Sequence, residues 1–211
     1  MTETSRDITI KRLSPEETGR IYQEHLRRDF PDNERKPYFI IRQEMEKGAY
    51  ETYGAYIKEQ LAAYAFICCE EENGVTAALL DYFAVCSGLR GKGIGGKVLR
   101  KLHEETLDED YILIESESPD KAFSDADRLI RERRIAFYER CGAYHSTIRT
   151  KLYQVDYDIL AFVKEGIDRS ELALYERTDW MYRRIYPRLR PDWKIVLYMD
   201  ETKEQDAGNP G

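Results

Sequence analysis

A glycine-rich turn between a strand-forming run and a helix-forming run constrains this chain most. The strand pattern covers residues 79–85, the turn with its four glycines covers 90–96, and the helical pattern follows over 97–102. Glycine lets the backbone approach a ligand closely and adopt angles that a β-carbon forbids. The first N–H groups of a helix have no internal acceptors and carry partial positive charge. This order of elements therefore predicts a phosphate-binding site.

Two familiar phosphate-binding patterns match this turn incompletely. A P-loop needs a serine or threonine directly after its Gly-Lys pair, and Val98 stands at that position. Valine offers no oxygen to a magnesium ion, so the P-loop is disfavoured. Residues 91–96 also satisfy Gly-x-Gly-x-x-Gly, the dinucleotide-binding fingerprint. That fingerprint needs an acidic residue at the end of the next strand, whereas the acidic residues at 108–110 precede the strand that begins at Tyr111.

A third pattern fits better and is supported by a second element. Residues 90–95 fill Arg/Gln-x-x-Gly-x-Gly/Ala after a strand that ends at Val85. Residues 135–143 read Ile-Ala-Phe-Tyr-Glu-Arg-Cys-Gly-Ala, which is similar to a later helix that ends Phe-Tyr-x-x-x-Gly-Phe. Together the two elements resemble the GNAT superfamily of N-acyltransferases. The resemblance covers residues 8–152 and is poor over the last third of the chain.

Composition and charge narrow the class of protein. Apolar residues make up 42% and charged residues 35%, as expected of a soluble globular chain. The sequence shows neither a long apolar run nor a signal-peptide core, so we expect a cytoplasmic protein with reduced cysteines and no membrane partner. A net charge of −7 argues against nucleic acid and suits a cationic acceptor. The spacing of cysteine and histidine suggests no metal site.

Hydrophobic periodicity and turn signals predict alternating strands and helices. The predicted strands are 8–12, 50–58, 61–70, 75–85, 111–115, 147–155, 157–163 and 193–199, and the predicted helices are 15–28, 38–47, 93–107, 126–141 and 168–186. Ser14 and Glu17 form a capping box at the first helix. Pro187 is expected to end the last helix.

The resemblance implies an α/β fold with a mixed α+β sheet. It implies a mostly antiparallel central sheet in which the parallel strands 75–85 and 111–115 splay around acyl-CoA, with helices on both faces. Residues 1–199 are expected to form a single domain, within which 153–192 are a C-terminal helix-strand elaboration. Residues 200–211 are predicted to be a disordered tail.

The resemblance also implies how the donor binds. Backbone groups at the end of the strand would bond the pantetheine arm, and loop N–H groups would hold the pyrophosphate. Arg131 departs from the asparagine that the family often has at this position, so either Arg131 contacts a CoA phosphate or the helix is shifted. The predicted cofactor-binding residues are Phe83, Ala84, Val85, Arg90, Gly91, Lys92, Gly93, Ile94, Gly95, Gly96, Arg131 and Tyr138.

Candidate catalytic residues follow partly from the resemblance. Tyr138 aligns with a tyrosine that the family places near the CoA sulfur, and a phenol with a pKa of about 10 suits a proton donor to a thiolate. Asp81, Glu115 and Glu117 are predicted to bind the substrate ammonium, and Asp81 and Glu115 are also candidate bases. Each carboxylate would equally suit a structural ion pair with an arginine at 131, 133 or 134. Deprotonation through water without a dedicated base also fits.

The sequence therefore favours an N-acetyltransferase that moves an acetyl group from acetyl-CoA to a primary amine of a small molecule or peptide in a ternary complex. No metal is expected. One alternative is a non-catalytic acyl-CoA-binding or regulatory module on the same fold. A P-loop enzyme is another, and magnesium-dependent ATP binding would support it. The elaboration would either shape the acceptor pocket or form a homodimer interface.

Overall fold

A computed structural model describes residues 8–32, 34–152, 154–189 and 195–200. The strands are β1 (Ile8–Arg12), β2 (Tyr50–Ile57), β3 (Gln60–Glu72), β4 (Val75–Val85), β5 (Tyr111–Glu117), β6 (Tyr144–Leu152), β7 (Val155–Val163) and β8 (Ile195–Met199). The helices are α1 (Pro15–Ile21), α2 (Arg27–Asp29), α3 (Tyr38–Glu46), α4 (Ile94–Glu105), α5 (Asp125–Arg140) and α6 (Glu171–Leu189). A π-helical turn (Tyr22–Leu26) joins α1 to α2, and none of the described helices is long and apolar enough to cross a membrane.

The chain divides into two compact units, which are described separately. The first unit contains Met1–Glu71 and Ala78–Asp108, and the second contains Glu72–Ala77 and Glu109–Gly211. The prediction of a single domain over 1–199 stays a prediction, and the predicted tail beyond residue 200 lies outside the described residues.

In the first unit the strands lie in the order β1-β2-β3-β4. The pairs β1/β2 and β2/β3 are antiparallel, and the second of these was predicted. The capping box at α1 is confirmed, since the Ser14 N–H donates to Glu17 Oε2 at 2.9 Å and the Glu17 N–H donates to Ser14 Oγ at 3.3 Å. Such reciprocal bonds satisfy two of the N–H groups that a helix start leaves open.

The second unit begins with the start of β4, which lies beside β5. The Thr76 N–H donates to Asp110 Oδ2 at 2.9 Å, and the Asp110 N–H donates to Thr76 Oγ1 at 3.0 Å. Because these residues stand at the beginnings of β4 and β5, the two strands start together and are parallel, as predicted. The order continues β5-β7-β6-β8 with antiparallel pairs. The predicted mixed, mostly antiparallel sheet is confirmed.

Several predicted boundaries were wrong by two or more residues, among them both ends of one strand and of the last helix. The strand predicted over 147–155 ends at Leu152, and the next begins at Val155. Gln154 between them has a φ of 75°, a left-handed angle for which the sequence carries no glycine or asparagine signal. The last helix also continues past Pro187 to Leu189. A proline at this position removes the N–H that would bond to the carbonyl four residues earlier, and its ring crowds that carbonyl, so the last turn forms at a local energetic cost.

Candidate functional site

The glycine-rich loop connects Val85 at the end of β4 to Ile94 at the start of α4. Gly91 and Gly93 have φ values of 75° and 73°, which L-residues rarely adopt. A β-carbon added at either glycine would meet no atom within 4 Å, so the backbone angle rather than crowding selects glycine. Gly93 is the N-cap of α4 and makes no side-chain capping bond. The first N–H groups of α4 therefore receive no cap from the Gly93 side, which is the arrangement that an anion site at a helix start requires.

The apolar face of α4 argues against a P-loop. Ile94 and Val98 are buried against Ala62 and Ala63 of β3. Val98 is 2% exposed, so the position that would supply a hydroxyl to magnesium is part of the hydrophobic core. Among the described residues, no group of three or more histidine, cysteine or acidic side chains is placed to hold a metal ion.

Both cationic side chains of the loop donate to the first unit itself. Arg90 Nε donates to the Val85 carbonyl at 2.8 Å, and its Nη2 donates to Asp29 Oδ1 at 2.7 Å. Lys92 Nζ donates to the Gly88 carbonyl at 3.0 Å. A guanidinium has five N–H donors and an ammonium has three, so these bonds leave further donors on each group. Their role at a phosphate stays a prediction.

The end of β4 is paired with β3 on one side. The Cys86 N–H donates to the Ala62 carbonyl at 2.9 Å, directly after the strand. Phe83 and Val85 pack against the core of the first unit, and Ala84 is buried. The predicted binding of pantetheine by the backbone of these three residues stays a prediction, and the Val85 carbonyl already accepts from an arginine.

Asp81 lies within β4 in a buried ion pair with Lys36, a residue that sequence reasoning missed. The two side chains are only 6% and 8% exposed. Burial disfavours the ammonium, but the Asp81 carboxylate outweighs this effect and raises the pKa of Lys36. Tyr50 Oη also donates to Asp81 at 2.5 Å. Two hydrogen bonds fix the backbone of Lys36. Its N–H donates to Tyr82 Oη at 2.9 Å, and its carbonyl accepts from Tyr22 Oη at 2.8 Å.

This arrangement gives Asp81 a structural partner other than the arginines considered from the sequence. The roles of Asp81 as a base and as a substrate-binding residue stay predictions, and they would require Lys36 to withdraw.

In the second unit, Glu115 on β5 accepts two phenolic hydrogen bonds. Tyr182 donates to Glu115 Oε1 at 2.5 Å, and Tyr186 donates to the same oxygen at 2.9 Å. Burial, followed by the charge of Glu115, raises the pKa of Tyr182 well above its ordinary value. The elaboration thus reaches one of the predicted site carboxylates. The four-residue spacing of the two tyrosines on α6 was the available sequence signal.

Glu117 lies among the arginines of α5. Arg131 and Arg134 approach its two oxygens at 3.4 and 3.2 Å. Arg131 also pairs with Asp127 at 3.0 Å and donates to the Ser118 carbonyl at 3.0 Å, with its side chain 5% exposed. The structural ion pair with an arginine, which was one of the two roles predicted for Glu117, is therefore present. A contact of Arg131 with a CoA phosphate stays a prediction and would need this network to open.

Tyr138, the predicted proton donor, lies on α5 and is 9% exposed. Burial raises its pKa to about 12, with the Arg134 cation acting in the opposite direction. The phenol therefore carries its proton throughout the physiological range. The ring packs edge-on against Phe137, with centroids 5.2 Å apart. Its role as an acid stays a prediction.

Comparisons with known proteins agree with the fold. A model of the acetyltransferase (GNAT) family matches residues 19–143, more than half of the 211-residue chain. The chain therefore belongs to the GNAT acetyltransferase family. No curated protein sequence matches the chain.

Solved structures of acetyltransferases share the architecture. One is a putative GNAT-family acetyltransferase from Bacteroides thetaiotaomicron, with a TM-score of 0.62, 17% identity, and coverage of 84% of this chain and 97% of that chain. Another is a variant of the spermidine N-acetyltransferase SpeG from Vibrio cholerae, with a TM-score of 0.55, 11% identity, and coverage of 74% and 94%. A third is NAA60 from Arabidopsis thaliana in complex with a bisubstrate analogue. It has a TM-score of 0.56 and 13% identity, and the match covers 76% of this chain and 99% of that chain. At these identities the likeness shows the fold alone.

Replacing Gly93 with alanine would test the loop geometry. The left-handed backbone angle of Gly93 costs an L-residue roughly 1–2 kcal/mol, so alanine would relax to another angle. Because CoA binding would then have to restore the original angle, we expect the affinity for CoA to fall about 5- to 30-fold. Calorimetric titration measures this. Gly88→Ala is the matched control, because its added β-carbon also meets nothing within 4 Å and its φ lies outside the left-handed region. Equal losses in the two variants would contradict the geometric account.

Proposed function

We propose that this protein transfers an acetyl group from acetyl-CoA to a primary amine. The observation that carries the proposal is the loop from Val85 to Ile94, in which two left-handed glycines lead into the N-terminus of α4 in a member of the acetyltransferase family. The open space around these glycines fits a pyrophosphate, and the N–H groups at the start of α4 match its charge.

The proposed reaction needs few groups from the protein. Acetyl-CoA supplies the thioester whose carbonyl carbon the neutral amine attacks. The new C–N bond forms as the C–S bond breaks, the amine loses a proton, and the departing thiolate gains one. We assign the last proton to the Tyr138 phenol, which its raised pKa keeps protonated. Holding the two substrates together lowers the entropic barrier to attack.

The acceptor side is assigned to carboxylates. Asp81, Glu115 and Glu117 keep their proposed role of binding an ammonium, and Asp81 and Glu115 keep that of accepting its proton through water. Glu115 accepts hydrogen bonds from two phenols, which orient the carboxylate. A carboxylate attracts an alkylammonium, in agreement with the acidic balance of the chain.

A panel of amines with acetyl-CoA, read by the thiol released, tests the proposal. The panel contains spermidine, amino acids, an aminoglycoside and a short peptide with a free N-terminus. We expect turnover with at least one of them, and initial rates that give intersecting lines when both substrates are varied, as a ternary complex requires. Parallel lines would point to a covalent acyl-enzyme instead.

The alternative is a non-catalytic module that binds acyl-CoA on the same fold. It is distinguished by CoA binding without thiol release from any amine. In that case Tyr138→Phe would change no measurable property except local packing.

A further inference from the structure

The first unit contains a buried carboxylate that the proposed site does not yet include. Asp29 is the last residue of α2, and its side chain is 5% exposed. Its Oδ1 accepts from Arg90 Nη2 at 2.7 Å, and its Oδ2 accepts from Tyr64 Oη at 2.9 Å. Arg90 Nε donates at the same time to the Val85 carbonyl at 2.8 Å. The Arg90 guanidinium thus links the start of the glycine-rich loop to the end of β4 and to α2.

Local structure explains how Asp29 reaches this place. The π-helical turn Tyr22–Leu26 precedes α2 and rotates the residues that follow it relative to a regular α-helix. Phe30 then leaves the helix with extended backbone angles, φ −128° and ψ 138°. Both oxygens of Asp29 are thereby occupied by charge-assisted bonds, and the bond from Arg90 is also an ion pair. Asp29 and Arg90 lie 61 residues apart in the chain.

We infer that Asp29 is a positioning residue for the acyl-CoA donor. It acts through Arg90, whose guanidinium braces the loop so that Gly91, Gly93 and the start of α4 keep the geometry that a pyrophosphate needs. This inference rests on the proposed function. If Arg90 served instead only as a direct phosphate ligand, the Asp29 carboxylate would compete with the phosphate for it. The two accounts predict opposite effects of removing the Asp29 charge.

Asp29→Asn is the principal test, because asparagine keeps an oxygen for Tyr64 while it loses the charge that holds Arg90. We expect the dissociation constants of CoA and of 3′-dephospho-CoA to rise about tenfold, the usual worth of a hydrogen bond to a charged group. The KM of acetyl-pantetheine, which has no pyrophosphate, should not change. Glu24→Gln, an exposed carboxylate in the preceding turn, is the control and should bind CoA like the wild type. Unchanged or tighter CoA binding by Asp29→Asn would overturn the inference.

A double-mutant cycle tests whether Asp29 acts through Arg90. We expect Asp29→Asn/Arg90→Gln to bind CoA no more weakly than Arg90→Gln alone, whereas additive losses would overturn the inference. If Asp29→Asn does not fold, Tyr64→Phe takes its place, since it removes the second anchor of Asp29 and keeps the ring. A smaller loss of CoA affinity is then expected, and no loss would overturn the inference. A wild type that binds no CoA would refute the proposed function itself, whereas equal binding by wild type and Asp29→Asn would refute this inference alone.

Discussion

Replacing Tyr138 with phenylalanine should lower kcat about 10²- to 10⁴-fold, the usual contribution of a positioned general acid. The affinity for acetyl-CoA should be unchanged, because the ring and its contact with Phe137 remain. The pKa of Tyr138 is raised to about 12 by burial, and a general acid loses activity only above its pKa. We therefore expect no fall in the wild-type rate from this group until the pH approaches that value.

Tyr144→Phe is the matched control for this substitution. The pKa of Tyr144 is also raised to about 12, first by its hydrogen bond to Glu171 and then by burial, but its side chain is 42% exposed. The Tyr144→Phe variant should therefore have the kcat of the wild type. A wild-type kcat in Tyr138→Phe would remove the proton donor from the account and favour the binding module.

Replacing Lys36 with methionine should lower the free energy of unfolding by about 3–5 kcal/mol, because it leaves Asp81 as a buried carboxylate without its cation. Urea unfolding at neutral pH measures this change. The folded pKa of Lys36 is raised above its ordinary value of 10.5, so the stabilisation is complete below that pH and is lost as the pH rises beyond it.

The double variant Lys36→Met/Asp81→Asn separates the ion pair from packing. Removing both charges should lower the free energy of unfolding less than removing the cation alone. No uncompensated charge is left, and the asparagine oxygen can still accept a hydrogen bond from Tyr50. Lys11→Met, in an exposed ion pair with Glu17, should change stability little. A double variant less stable than Lys36→Met would show that the two residues act independently.

Local signals predicted much of the architecture. The capping box of Ser14 and Glu17 depends on residues three apart, and the apolar stripe of α4 through Val98 depends on helical periodicity. The glycine loop is local as well, and Gly91 and Gly93 have the backbone angles that explain why glycine stands there. These features were predictable because neighbours in the chain determine them.

The partners of the site residues were not predictable in the same way. Asp81 meets Lys36 across 45 residues, and Glu115 meets Tyr182 across 67. Periodicity shows which face a residue lies on, but it does not show which distant side chain covers that face. For this reason the sequence identified the carboxylates as candidates and left their surroundings open, whereas the structure identifies a buried ion pair at one and a pair of phenols at the other.

Calorimetric titration of the wild-type protein with acetyl-CoA, in buffer without magnesium, tests the donor site most directly. We expect that one acetyl-CoA binds per chain, that added magnesium does not change the affinity, and that ATP with magnesium does not displace it. Failure to bind acetyl-CoA, or binding of ATP that requires magnesium, would contradict the assignment of the glycine loop to an acyl-CoA donor.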